Sequence, residues 1–124
     1  MSPEKQLHIS LCKYLKLAHP SMYFDSDPSG LRVTIGIRKQ LKATRSNHAH
    51  LDLFIAEPRK NFHGMFLELK AKTPFKKDGG LKKDEHLEAQ VKTMANLTTR
   101  GYYCEHAWKL YDAIKLIEDY LKLK

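Results

Sequence analysis

The sequence predicts an α/β domain in which a central mixed β-sheet is flanked by helices. Three observations carry this reading. Two apolar runs of strand length, Leu51–Ala56 and Met65–Leu69, are joined by a polar loop punctuated by Pro58 and Gly64. Stretches with apolar residues at three- and four-residue steps lie on both sides of that pair. The predicted order is helix, short strand, helix, strand, strand, helix, strand, helix. A helix-connected strand following a hairpin implies a sheet with both antiparallel and parallel neighbours, covered by helices.

The first helix is expected over 2–18. Ser2 is a suitable N-cap, Pro3 suits the first helical position, and Leu7, Leu11, Tyr14, Leu15 and Ala18 form one stripe. Glu4 lies on the edge of that stripe, where it would favour the helix N-terminus or reach further as a ligand. His19-Pro20 ends the helix. Met22–Asp25 reads as a short strand, and 26–30 as a turn whose hydroxyls and amides suit phosphate. Val33, Thr34, Ile35 and Ile37 suit a strand, whereas Ile37 and Leu41 with the intervening Arg-Lys-Gln suit a helix, and the preferred reading is a helix over roughly 34–43. Its Arg38, Lys39 and Lys42, with Arg45 beyond, make a basic stretch that leads into His48, His50 and Asp52. The two histidines lack the companions of a zinc site and read as turn residues or DNA contacts. A basic loop follows over 71–80, carrying Lys76, Lys77 and a Gly-Gly pair, and is expected to be flexible. A helix over 82–99 should bury Leu87, Val91, Met94 and Leu97 or Thr98; the spacing lets Gln90 point to the sheet edge, the alternative being an ordinary exposed helix glutamine. Arg100-Gly101 closes it with a glycine cap. Tyr102–His106 reads as the last strand and Lys109–Leu123 as the last helix, with Leu110, Ala113, Ile114, Ile117, Tyr120 and Leu121 on its apolar face.

At 124 residues, 1–124 forms one domain with one core. Twenty-two Lys and Arg against 14 Asp and Glu leave a net charge of +8, which favours polyanions. Cys12 and Cys104 are far apart, without CxxC spacing, and read as reduced thiols of a cytoplasmic protein. No apolar stretch approaches membrane-spanning length, so no membrane association is expected.

Chemistry concentrates between His50 and Lys70. In a strand, residues i and i+2 share a face, so Glu68 and Lys70 point the same way. If Asp52 faces that side from the neighbouring strand, two carboxylates and one ammonium converge. Such a set suits a hard divalent ion, Mg²⁺ or Mn²⁺, and metal-assisted phosphodiester cleavage, with Lys70 orienting water or stabilising developing charge. Both acids stand in apolar runs, where an unpaired carboxylate is costly and needs a partner or ligand. The alternative is a pair of rim charges on a two-stranded sheet.

The arrangement resembles the VRR-NUC domain, a branch of the PD-(D/E)xK nuclease superfamily, in its short stand-alone phage and bacterial forms. Glu4, Asp52, Glu68 with Lys70, and Gln90 stand where that family has a helix acid, a strand-opening Asp, a Glu-x-Lys and a helix Gln. Gly64–Lys70, His86–Gln90 and Arg100–Tyr102 resemble its other segments. Leu51 stands where relatives carry Pro before the Asp, which removes a rigid entry but leaves the carboxylate. The resemblance implies a restriction-endonuclease-like core and a Mg²⁺- or Mn²⁺-dependent endonuclease. Asp52, Glu68, the Leu69 carbonyl and Glu4 would hold metal, Lys70 would act on the water, and Gln90 would orient the lysine or a phosphate oxygen. It further implies a Holliday-junction-resolvase-like enzyme of a phage or bacterial host cell, working on branched DNA as a homodimer. Arg38, Lys39, Lys42, Arg45, Lys76 and Lys77 are candidate phosphate contacts. The last helix and Tyr102–His106, with Trp108, are the candidate dimer surface. Two rivals remain: a sequence-reading or nicking nuclease, and a non-catalytic nucleic-acid-binding module.

Overall fold

A computed structural model of the chain describes residues 2–27, 33–70, 75–80 and 83–124. The turn expected at 26–30 lies mostly outside these residues, as do the first part of the basic loop (71–74) and the expected helix start at 82.

Helix α1 (Pro3–Ala18) begins as expected. The Ser2 hydroxyl accepts the Lys5 N–H at 3.3 Å and Pro3 occupies the first turn. Strand β1 (Phe24–Ser26) and helix α2 (Ile35–Ala43) follow, the latter capped by Thr34, whose hydroxyl accepts from Ile37 N at 3.2 Å. Then come β2 (Leu53–Ile55), β3 (Met65–Leu69), α3 (Glu85–Thr99), β4 (Tyr103–Ala107) and α4 (Leu110–Leu121). The sheet order is β1-β2-β3-β4. The first two pairings are antiparallel and the third parallel, which is the mixed sheet the element order predicts.

One face of the sheet is the core. Leu53, Ile55, Met65, Leu67, Leu69 and Ala107 pack under Leu7, Leu11 and Leu15 of α1 and Ala113, Ile117 and Tyr120 of α4. Alternation along the strands dictates this grouping. Polar clasps fix the helices: Glu118 Oε1 accepts from Tyr14 Oη at 3.0 Å, and Tyr120 Oη donates to the Glu57 carbonyl at 2.6 Å in the hairpin loop. On the opposite face Phe54 and Phe66 stack with centroids 4.6 Å apart, and Tyr102 meets both edge-on. Helix α3 lies beside this aromatic group.

Several boundaries and faces differ from expectation. Strand β2 starts at Leu53 rather than Leu51, for a reason that belongs to the site described below. Helix α3 starts at Glu85 because Asp84 caps it, its carboxylate accepting from His86 N and Leu87 N. Of its expected apolar face only Leu87 is buried, joined by Gln90. Val91, Met94 and Leu97 are half-buried and Thr98 is exposed, because α3 covers the sheet only in part. Its C-terminus closes on Gly101 at φ +93°, with Gly101 N and Tyr102 N donating to Thr98 O and Leu97 O. Ala18 and Leu110, placed on buried stripes, are exposed at helix ends.

Candidate active site

The register sets the geometry. Leu53 pairs with Leu67, so Asp52 stands opposite Glu68 where β2 would continue. There the ladder gives way to side chains. The Asp52 N–H donates to Glu68 Oε1 at 3.2 Å, and the Leu69 N–H donates to Asp52 Oδ2 at 2.7 Å. Each acid binds the other strand's main chain, which is why β2 proper begins one residue later. A lone apolar-run reading extends the strand through Asp52 and misses this exchange.

Lys70 continues the parallel pairing, its N–H donating to the Ala107 carbonyl at 2.9 Å. Its ammonium donates to Gln90 Oε1 at 2.6 Å and lies 3.3 Å from Glu68 Oε2. Gln90 Nε2 donates to the same Glu68 oxygen at 2.6 Å. This triangle admits one amide orientation: a carboxylate only accepts and an ammonium only donates. The remaining amide proton faces His86 Nε2 at 3.2 Å. Glu68 is 2% exposed and Gln90 3%, while Lys70 and Asp52 at the ends of the network are half-buried.

Burial is the main cause that pushes the Glu68 carboxyl up to about 8, and the neighbouring Asp52 adds to it against the opposing Lys70. Asp52 is also raised, first by burial, with the Leu69 N–H opposing. Two adjacent carboxylates that are both costly to ionise would be stabilised by a cation. The available donors are the oxygens of Asp52 and Glu68, with Glu4 near Asp52, a hard set that suits Mg²⁺ or Mn²⁺. Among the described residues no three His, Cys, Asp or Glu side chains are grouped so that they could hold a metal ion.

Asp52 opens onto a cleft of about 200 Å³ that it shares with Leu69 and with Ser2, Glu4, Lys5 and His8 of the α1 start. Glu4 lines this cleft and is exposed. His8, one turn on, is buried against the site. In the sequence it is hidden, because the apolar stripe accounts for its neighbours Leu7 and Leu11. The i, i+4 spacing from Glu4 is the available signal.

The basic residues divide into three groups. Arg38, Lys42 and Arg45 line a cleft of about 370 Å³ with His48 and His50. Arg45 is ion-paired to the buried Asp27, and His50 Nε2 lies 3.1 Å from the Ser46 carbonyl. Lys39 is exposed on α2. Lys76 and Lys77 stand on a turn over 76–80, closed by Gly79 N to Lys76 O and Lys76 N to Gly80 O. Helix α2 has no buried residue, so its charges face outward on a helix held apart from the core. His106, beside Glu68 in the β3–β4 register, is a further neighbour that no sequence signal singles out; burial, then Lys70, holds its pKa low.

The α/β core brings Asp52, the Glu68-Leu69-Lys70 run and Gln90 to one strand junction. Its fold is that of a solved structure described as a VRR_NUC domain protein, similar over 99% of this chain and 91% of its own, at TM-score 0.69. At 19% identity the likeness is one of fold. No family model and no curated protein matches the chain. Among the described residues no helix is long and apolar enough to cross a membrane.

Proposed function

We propose that this protein is a Mg²⁺- or Mn²⁺-dependent endodeoxyribonuclease that selects branched DNA. The observation that carries the reading is the Asp52–Glu68–Gln90–Lys70 network. It pairs two carboxylates raised chiefly by burial with a lysine fixed by a dedicated glutamine.

A divalent ion bound by Asp52, Glu68 and the Leu69 carbonyl would neutralise the scissile phosphate and lower the pKa of the attacking water. The protein's own groups do the rest. Gln90 holds the Lys70 ammonium against Glu68, so its charge is in place without reorganisation when negative charge develops on the phosphate. The Leu69 N–H fixes Asp52 through Oδ2. Exposed cations on α2 and at Lys76 and Lys77 supply the sequence-independent attraction to the backbone. The small domain and the outward basic helix favour recognition of shape over sequence. Symmetric cutting of a four-way junction takes two active sites, so a homodimer belongs to the proposal. Edge strand β4, Trp108 and the exposed Leu110 and Tyr111 are available for it.

Lys70→Ala tests the assignment. It should lower the single-turnover cleavage rate by about 10²-fold or more while DNA affinity in a gel-shift assay stays within about threefold. A variant that cuts at the wild-type rate would remove Lys70 from the mechanism.

A further inference from the structure

We propose that the cleft between α3 and the 46–51 segment receives one unpaired base of a bound DNA, beside the phosphate that is cut. The inference rests on the nuclease reading above and deepens it, because it names the feature of a branched DNA that the protein selects.

The cleft holds about 250 Å³, a space on the scale of one base rather than of a duplex. Leu51, Leu97 and Phe66 make its wall apolar and aromatic. Phe66 in turn stacks on Phe54 and meets Tyr102 edge-on, so its ring is held in place by its neighbours. Every base has a π-face, and stacking on an aromatic wall accepts each of them. Hydrogen-bonding groups stand on the α3 side, as the polar edge of a base requires. Asn96 lines the cleft, and its Oδ1 accepts from Arg100, which leaves the amide N–H groups as donors. Thr93, one turn before it, donates its hydroxyl to the Ala89 carbonyl and keeps its lone pairs as acceptors. Charge favours the same occupant. Ser46, His48 and His50 line both this cleft and the neighbouring one that Arg38 and Lys42 make basic, so one nucleotide can place its base in the first and its phosphate in the second. The cleft also adjoins the acids: Leu51 precedes Asp52, and Phe66 shares its strand face with Glu68 two residues on. In a duplex a base must be unpaired and unstacked before it can enter such a space, whereas at a branch, bulge or flap it is already free. A site of this kind thus selects branched DNA without reading its sequence.

The test reads binding, not turnover. Two hairpin duplexes, identical except for one unpaired position that carries either a base or an abasic sugar, are titrated with the full chain in EDTA and followed by fluorescence anisotropy. The wild type should bind the base-containing hairpin about tenfold more tightly. Leu97→Trp, which fills the cleft, and Phe66→Leu, which removes its aromatic wall, should each bring that ratio to within about twofold, with circular dichroism to check the fold. Arg38→Gln should weaken both hairpins alike and keep the ratio. Equal affinity of the wild type for the two hairpins would overturn the base site and leave the nuclease reading standing. A preference that both cleft variants retain would overturn its placement in this cleft. Failure of the wild type to bind either hairpin would overturn the base site together with the nuclease reading.

Discussion

Glu68 concentrates the chemistry of the site in one residue. Its Oε1 accepts a main-chain N–H, its Oε2 accepts from Gln90 and sits beside Lys70, and the group is still held up near 8 by burial and Asp52. The consequence for stability follows from the sign of that shift. Between the ordinary glutamate value near 4.5 and about 8, the folded chain keeps a proton that the unfolded chain releases. The metal-free protein should therefore lose stability as pH rises through that window, with Asp52 acting in the same direction. Thermal unfolding in EDTA at pH 5.5 and 8 should show this loss, and Glu68→Gln should flatten it. Mn²⁺ should raise the melting temperature more at pH 8 than at pH 5.5, because the proton and the ion compete for the same oxygens. An equal rise at both values would mean that the ion does not bind these carboxylates. Residue by residue, Asp52 and Glu68 stood out as acids in apolar runs and Lys70 by its i+2 spacing from Glu68, whereas Gln90 was singled out only by the family resemblance. His8 and His86 were not, since a histidine beside leucines on a helix looks like packing until its partners are known.

At the scale of elements, strand and helix types were readable from period alone, and seams were not. Strand β2 is two residues shorter at its start than predicted because a side chain, not a strand, takes the Asp52 N–H. Helix α3 gives up its predicted first turn to the Asp84 cap, and most of its apolar face is only half covered. These outcomes depend on tertiary partners that local pattern does not encode. Helix α2 shows the reverse. Its sequence mixes apolar and basic residues, and the fold leaves Ile35 74% exposed with no part of the helix in the core. Neutralising Arg38, Lys39 and Lys42 together by glutamine should therefore change folding stability by less than about 0.5 kcal/mol. The same triple variant should flatten the dependence of log K on log salt by about 0.9 for each phosphate that these side chains neutralise in the wild type. An unchanged salt slope would take α2 out of the DNA-binding surface.

For the whole molecule, one sheet supports two functions on separate sides. Leu11, Leu15, Leu67 and Ile117 form the anhydrous side, and the junction of β2, β3 and α3 carries the charged network at its edge. A net charge of +8 surrounds this with a field that favours polyanions. The fold class was legible from the order of elements. The preference for branched DNA is a proposal about how the α2 surface, Lys76 and Lys77 and a second copy combine. The proposal can be tested on the purified protein incubated with a labelled four-way junction and its matched linear duplex, in Mg²⁺, Mn²⁺ or EDTA. Metal-dependent, symmetrically placed nicks should appear in the junction, with the duplex spared and no cutting in EDTA. Tight binding of both DNAs with no cleavage in either metal would contradict it and leave a nucleic-acid-binding module in its place.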